Sequence, residues 1–196
     1  MEKPILLDVP ERIETERLEL RAVTSGSGAR TNAAVVASIE EVAKYMPWAN
    51  PTPSVNDTEE WCRNAHASFI KREHFHYHFF LKGSDTFVGT VGLFNIHWDV
   101  PRAEIGYWIH TDHSGKGLMT EAVRALVAMC FENLKFERLE IRCETGNERS
   151  AMVARRCGFK LEATLRNYAR ATDGSLRDDL LYSLLPSDSR EDASGK

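Results

Sequence analysis

Between residues 103 and 143 the chain switches periodicity twice, and that pattern limits what it can fold into. Ala103–Ile109 (AEIGYWI) reads as a strand. Lys116–Asn133 then carries one apolar row at Leu118, Ala122, Leu126 and Cys130, and another at Met119, Val123, Val127 and Phe131. Arg124 and Glu132 fall off both rows, so the segment is an amphipathic helix with one face for a core. Leu139, Ile141 and Cys143 form a short strand after it. A strand, a helix and a strand in this order make a parallel crossover.

The segments before this unit favour antiparallel pairing. Thr15–Ala22 (TERLELRA) alternates Leu18, Leu20 and Ala22 with charged residues, the pattern of a half-buried strand. His76–Lys82 and Phe87–His97 flank Gly83-Ser84-Asp85 as a hairpin, and Asp99–Arg102 is a further turn. Ala33, Val36, Ile39, Ala43 and Met46 have helical spacing that stops before Pro47. Asp57 with Glu60 predicts the cap of a second helix, whose face carries Trp61, Ala65 and Phe69. Ser150–Arg156 predicts a short helix closed by Gly158. Phe159–Arg166 and Asp179–Leu185 are strands around Asp173-Gly174. The expected class is α/β (α+β), with a mixed sheet of about seven strands, antiparallel first and with a parallel step in the middle.

Composition narrows the function. Hydrophobic residues are 42% and charged residues 28% of 196, the balance of one ordinary globular domain. That domain is expected over residues 13–185, after an N-terminal extension (1–12) and before a polar tail (186–196) with nothing to bury, expected to be disordered. A net charge of −4 supplies no global basic field, so no direct nucleic-acid partner is expected. Cys62, Cys130, Cys143 and Cys157 form no C-x-x-C pair. No signal peptide and no apolar run of about 20 residues is present, so no membrane partner is expected and the cytoplasm is the expected compartment.

Ser114-Gly115-Lys116-Gly117-Leu118-Met119-Thr120 lies where the strand meets the best helix. The first turn of a helix leaves amides without partners, and these attract an anion. Glycines at 115 and 117 permit a turn and close approach, so the loop suits a pyrophosphate; a tight turn with no ligand is the alternative. Neither rival phosphate motif is met. Gly117 follows Lys116 where a Walker loop needs Ser or Thr, and Thr120 replaces the third glycine of the dinucleotide fingerprint.

Five segments together carry a family resemblance over nearly all of 13–185. They are Glu16–Arg21, Ala103–Ile109, Gly115–Ala122, Asn147-Glu148-Arg149-Ser150 and Gly158–Glu162. In this order the chain resembles the GNAT superfamily of N-acetyltransferases, and within it the RimJ/RimL group that acetylates protein N-termini. The superfamily loop reads Gln/Arg-x-x-Gly-x-Gly/Ala; here Ser114 departs from the first position, while Met119 in the last resembles the subgroup. The resemblance implies a mixed, mostly antiparallel seven-stranded sheet with a central parallel splayed pair and about four helices. It implies acetyl-CoA as cofactor, its pyrophosphate on the backbone of residues 114–120 and its pantetheine arm along Ile109 and Thr111, with Asn147 a further contact. It also implies an acceptor amine: the N-terminus of a protein such as a ribosomal protein, or a small amine such as an antibiotic, polyamine or amino acid. A CoA-binding module without chemistry is a third reading, and a homodimer is common in the family.

Acetyl transfer requires a neutral amine and a proton for the departing thiolate. Glu104, on a strand face with Gly106, Trp108 and His110, is the candidate base; a carboxylate paired with an arginine or facing solvent is the alternative. Ser150, last in Asn-x-x-Ser, is the candidate proton donor; a helix-capping role is its alternative, and Thr145 with Glu148 is itself a capping-box pattern. Glu162 reads as a solvent-facing strand residue. His74, His76 and His78 alternate on one strand face, more in keeping with an acceptor groove than a metal, and no metal is expected. Trp48 and Phe75 are open between core and acceptor contact. The acceptor cleft is expected from loops 24–56 and 167–177.

Overall fold

Alternation in the first half of the chain builds an antiparallel ladder, which a single crossover then extends. The structure is a computed structural model that describes residues 3–188. Its strands are β1 (Arg12–Glu14), β2 (Leu18–Ala22), β3 (Phe75–Leu81), β4 (Phe87–His97), β5 (Arg102–Ile109), β6 (Arg138–Glu144), β7 (Lys160–Arg170) and β8 (Leu176–Leu184). They form one eight-stranded sheet in the order β1-β2-β3-β4-β5-β6-β8-β7. Among the described residues only β5 and β6 pair in parallel. The eighth strand, beyond the seven expected, is β1. It has three residues, two of them charged, and so carries no periodic signal. The strand predicted over 15–22 starts only at Leu18, because Thr15 and Leu18 close a turn through their backbone and the Thr15 hydroxyl.

The helices are α1 (Gly28–Ala37), α2 (Ile39–Val42), α3 (Val55–Lys71), α4 (Leu118–Ala128) and α5 (Glu148–Arg156). The helix inferred from the 33–46 spacing is two helices broken at Ser38. It also begins earlier, since Glu59 accepts from the Gly26 and Gly28 amides across from α3. The cap of α3 is Ser54 in a reciprocal box with Asp57, in place of Asp57 with Glu60. α4 follows the expected rows. Leu118, Met119, Ala122, Val123, Leu126 and Val127 are all buried, and a wider π turn carries the helix on through Met129–Asn133. This face joins Leu20, Phe79, Ile105, Leu139 and Tyr182 in the main core. Helices α1 and α3 pack together, and the α1–α3 segment faces the opposite side of the sheet through Phe80, Phe87, His76 and His78.

Residues before 13 pack onto the sheet. Val9 is buried, Arg72 donates to the Leu7 carbonyl, and the Tyr77 hydroxyl donates to the Pro10 carbonyl at 2.6 Å. At the other end Asp188 bonds Lys160 and the Leu185 amide, so order extends to the first residues of the expected tail. Residues 189–196 of that tail lie outside the described residues. Among the described residues no helix is long and apolar enough to cross a membrane.

Candidate active site

The site begins where the parallel pair comes apart. β5 and β6 are in register at Arg102–Glu104 with Arg138–Glu140, and their pairing stops there. Beyond it β5 stays with β4 as far as Ile109, and β6 stays with β8 as far as Glu144. The His110 amide donates to the Val88 carbonyl at 2.8 Å. Strand alternation then turns the backbone groups of Tyr107 and Ile109 toward the open gap. The Thr111 amide, expected to serve beside Ile109, is already held by the Ser38 hydroxyl at 3.0 Å. Ile109 therefore offers the free edge groups.

A cavity of about 620 Å³ opens from this gap under α1 and α3, and both Glu104 and Ser150 line it. Glu104 is buried at 6% exposure, ion-paired with Arg142 on β6 and accepting from Asn95 at 3.0 Å. The arginine partner anticipated as the alternative is thus present, and it holds the carboxylate in place on the cavity wall. Arg142 lies in turn over the Tyr168 ring. The Ser150 hydroxyl is 3.0 Å from that of Tyr107, which also reaches the Ser150 carbonyl at 3.2 Å. Burial pushes the Tyr107 pKa well above its ordinary value, so the phenol keeps its proton. The cap of α5 is Asn147, whose side-chain oxygen accepts from the Ser150 amide at 3.1 Å. The Thr145–Glu148 box does not form, and Ser150 is free of capping. Asn147 also lines the cavity, with its oxygen committed to the helix.

At the far end of β5 the glycine loop leads into α4. Gly115 and Gly117 both have positive φ, +76° and +77°, which side-chain-bearing residues rarely adopt. A Cβ at Gly115 would meet nothing within 4 Å, so the loop surface is open. The Ser114 amide is used, donating to Thr111. The amides of Gly115, Lys116, Gly117, Leu118, Met119 and Thr120 donate to no partner among the described residues. The side chains of Leu118, Met119 and Thr120 are buried, which leaves their backbone to do any binding. The loop is fixed from outside. Arg17 donates to the Lys116 carbonyl at 3.1 Å and pairs with Glu121 at 2.6 Å, and Thr15 bonds Glu121 as well. This run of free amides at a helix mouth, with an arginine beside it, fits a pyrophosphate.

Three contributors gave no local signal of their partners. Tyr107, Arg142 and Arg17 act through residues far away in sequence, namely Ser150, Glu104 and Glu121. Phe75 is fully buried in the core, while Trp48 is 49% exposed at the cavity. Glu162 is exposed, as expected, but Arg138 and Ser183 bond it and hold its pKa down at about 2. Of the predicted acceptor loops, the 24–56 region lines the cavity through Thr31, Tyr45 and Trp48; the 167–177 region contributes only Arg177.

The three histidines form a face without converging on a metal. His74 and His76 stack, Trp61 meets His76 and His78, and His78 is 3.3 Å from the Thr31 hydroxyl. Among the described residues no group of three or more His, Cys, Asp or Glu side chains could hold a metal ion. Burial, aided by His76 and Arg30, lowers the His78 pKa to about 3. The unfolded chain binds this proton near pH 6.5 and the folded chain does not, so acid favours unfolding from pH 6.5 downward. Stability should fall by up to about 1.4 kcal/mol per pH unit from this residue. Urea midpoints measured at pH 7 and pH 5 should therefore differ less in His78→Gln than in the parent.

Comparison with known proteins identifies the family. The family model "Acetyltransferase (GNAT) domain" matches residues 17–160, and the chain belongs to that family. It is 32% identical over 178 residues to the uncharacterized N-acetyltransferase p20 of Bacillus licheniformis, covering 89% of this chain and 96% of p20. It is 33% identical over 88 residues to the ribosomal-protein-serine acetyltransferase of Escherichia coli, covering 45% of this chain and 49% of that one. A solved structure of the RimL ribosomal L7/L12 alpha-N-protein acetyltransferase in complex with coenzyme A superposes with a TM-score of 0.84 at 23% identity, over 89% of this chain and 98% of that one. The protein is an acetyl-CoA-dependent N-acetyltransferase whose relatives and structural neighbours include RimJ/RimL ribosomal-protein acetyltransferases.

Proposed function

We propose that this enzyme acetylates the N-terminal α-amine of a protein in the cytoplasm, a ribosomal protein being the substrate class its relatives' names support. The observation that carries the reading is the charge of the cavity. Of the three carboxylates that line it, Glu104 pairs with Arg142 and Glu144 with Arg177. Asp57, at the mouth of α3, is left with no cationic partner among the described residues. One unmatched carboxylate suits an acceptor with one ammonium better than a polyamine or an aminoglycoside with several.

Acetyl-CoA supplies the acetyl group as a thioester, held by the amides of Gly115–Thr120 and the edge of Ile109, with Asn147 a further contact. An α-amine has a pKa of about 8, so roughly a tenth is neutral near pH 7, whereas a lysine near 10.4 is far less ready. As the amine forms its bond to the acetyl carbon and the carbon–sulfur bond breaks, Glu104 takes the amine proton through water. Ser150 donates to the leaving sulfur, and Tyr107 holds the hydroxyl in place. A screen of peptides with free N-termini against spermidine and an aminoglycoside, read by thiol release, tests the reading. Peptides should turn over and N-terminally blocked, lysine-containing peptides should not; faster turnover of the polyamine or aminoglycoside would overturn it.

A further inference from the structure

Resting on that peptide reading, we infer that the residue carrying the α-amine has a large apolar side chain, seated against Trp48, Trp61 and Trp108. Three of the four tryptophans in the chain line this one cavity. They come from three separate elements: the turn Pro47–Ala49, helix α3 and strand β5. Trp48 is 49% and Trp61 37% exposed, although each is anchored by a ring contact. Trp48 lies 6.4 Å from Trp108, and Trp61 meets His76 edge-on at 5.4 Å. Indole surface left in water is unfavourable, and these rings are held in place before any ligand arrives.

Met46, Val35 and Phe94 continue the same apolar lining. A serine or alanine side chain would cover little of this surface, whereas a phenylalanine or leucine would displace its water. Polar groups share the wall, among them Thr31, His76 and Thr90. Thr90 is 5% exposed and its hydroxyl has no partner among the described residues. It stands opposite Trp108 in the β4–β5 ladder, on the same face. That hydroxyl offers a single hydrogen bond to the acceptor's backbone while the rings take the side chain. Glu104 lies further along β5 on this face, so the amine and its side chain enter one continuous space.

The test uses the full chain and peptides that differ only in the first residue. Phe- and Leu-initiated peptides should show kcat/KM at least ten-fold above Ser- and Ala-initiated ones. Calorimetry in the presence of CoA should show the same order of peptide affinity. Trp48→Ala and Trp61→Ala, both at partly exposed positions, should raise KM for the Phe peptide and narrow the Phe-to-Ser ratio to within about three-fold. Equal or better turnover of Ser and Ala peptides would overturn this inference and leave α-amine acetylation standing. Turnover of small amines with no turnover of any free-N-terminal peptide would instead remove the peptide reading, and this inference with it.

Discussion

Replacing Gly117 by aspartate should abolish coenzyme A binding, with affinity weakened about 100-fold or more in calorimetry. Two effects act together. The backbone there has φ +77°, where any side chain is strained by roughly 1–2 kcal/mol. The larger effect is charge. A carboxylate would be placed beside the free amides of Gly115–Thr120, and each like-charge contact at about 4 Å is worth up to about 4 kcal/mol near a protein surface. Arg17, whose nitrogen lies 3.6 Å from the position of a Cβ, offsets part of this. Gly117→Ala separates the two effects: it carries the strain without the charge and should stay within about ten-fold of the parent. If the aspartate variant bound as tightly as the parent while remaining folded, the loop would not be the phosphate site.

Ser150→Ala should lower kcat by about 10- to 100-fold and leave the affinity for CoA within about two-fold. The hydroxyl is free of capping, because Asn147 supplies the α5 cap and only the Ser150 amide is used there. Removing it should therefore leave the helix start intact, and thermal unfolding of the variant should stay close to the parent. Tyr107→Phe should cause a smaller fall in kcat, since it loosens the hydroxyl without deleting it. An equal loss of kcat and CoA affinity in Ser150→Ala would mean that the hydroxyl only shapes the site.

The parts of the molecule with a local physical signature could be read before folding. The rows on α4, the hairpin alternations and the two glycines before the helix are enforced by neighbours within a few residues, so pattern and structure agree. The start of α1 could not be read this way. It is set by Glu59, more than 30 residues downstream, which accepts from amides that have no local partner. Ser38, at the break between α1 and α2, likewise serves a distant group, the Thr111 amide. The family pattern singled out Glu104 and Ser150, and both line the cavity. Arg142 and Tyr107, which pair with them, come from strand registers that spacing along the chain does not encode. The commitment of Thr111 was hidden for the same reason.

The clasp formed by Arg17, Thr15 and Glu121 ties the cofactor loop to the amino-terminal hairpin, about a hundred residues earlier. On the proposed cofactor site, competence to hold acetyl-CoA would be a property of the finished chain, out of reach of the strand–loop–helix unit alone. Nascent or clipped protein lacking the first twenty residues would present the glycines without their brace. Ligand capture would then report that the first hairpin of the sheet has met the loop that follows its central strand β5.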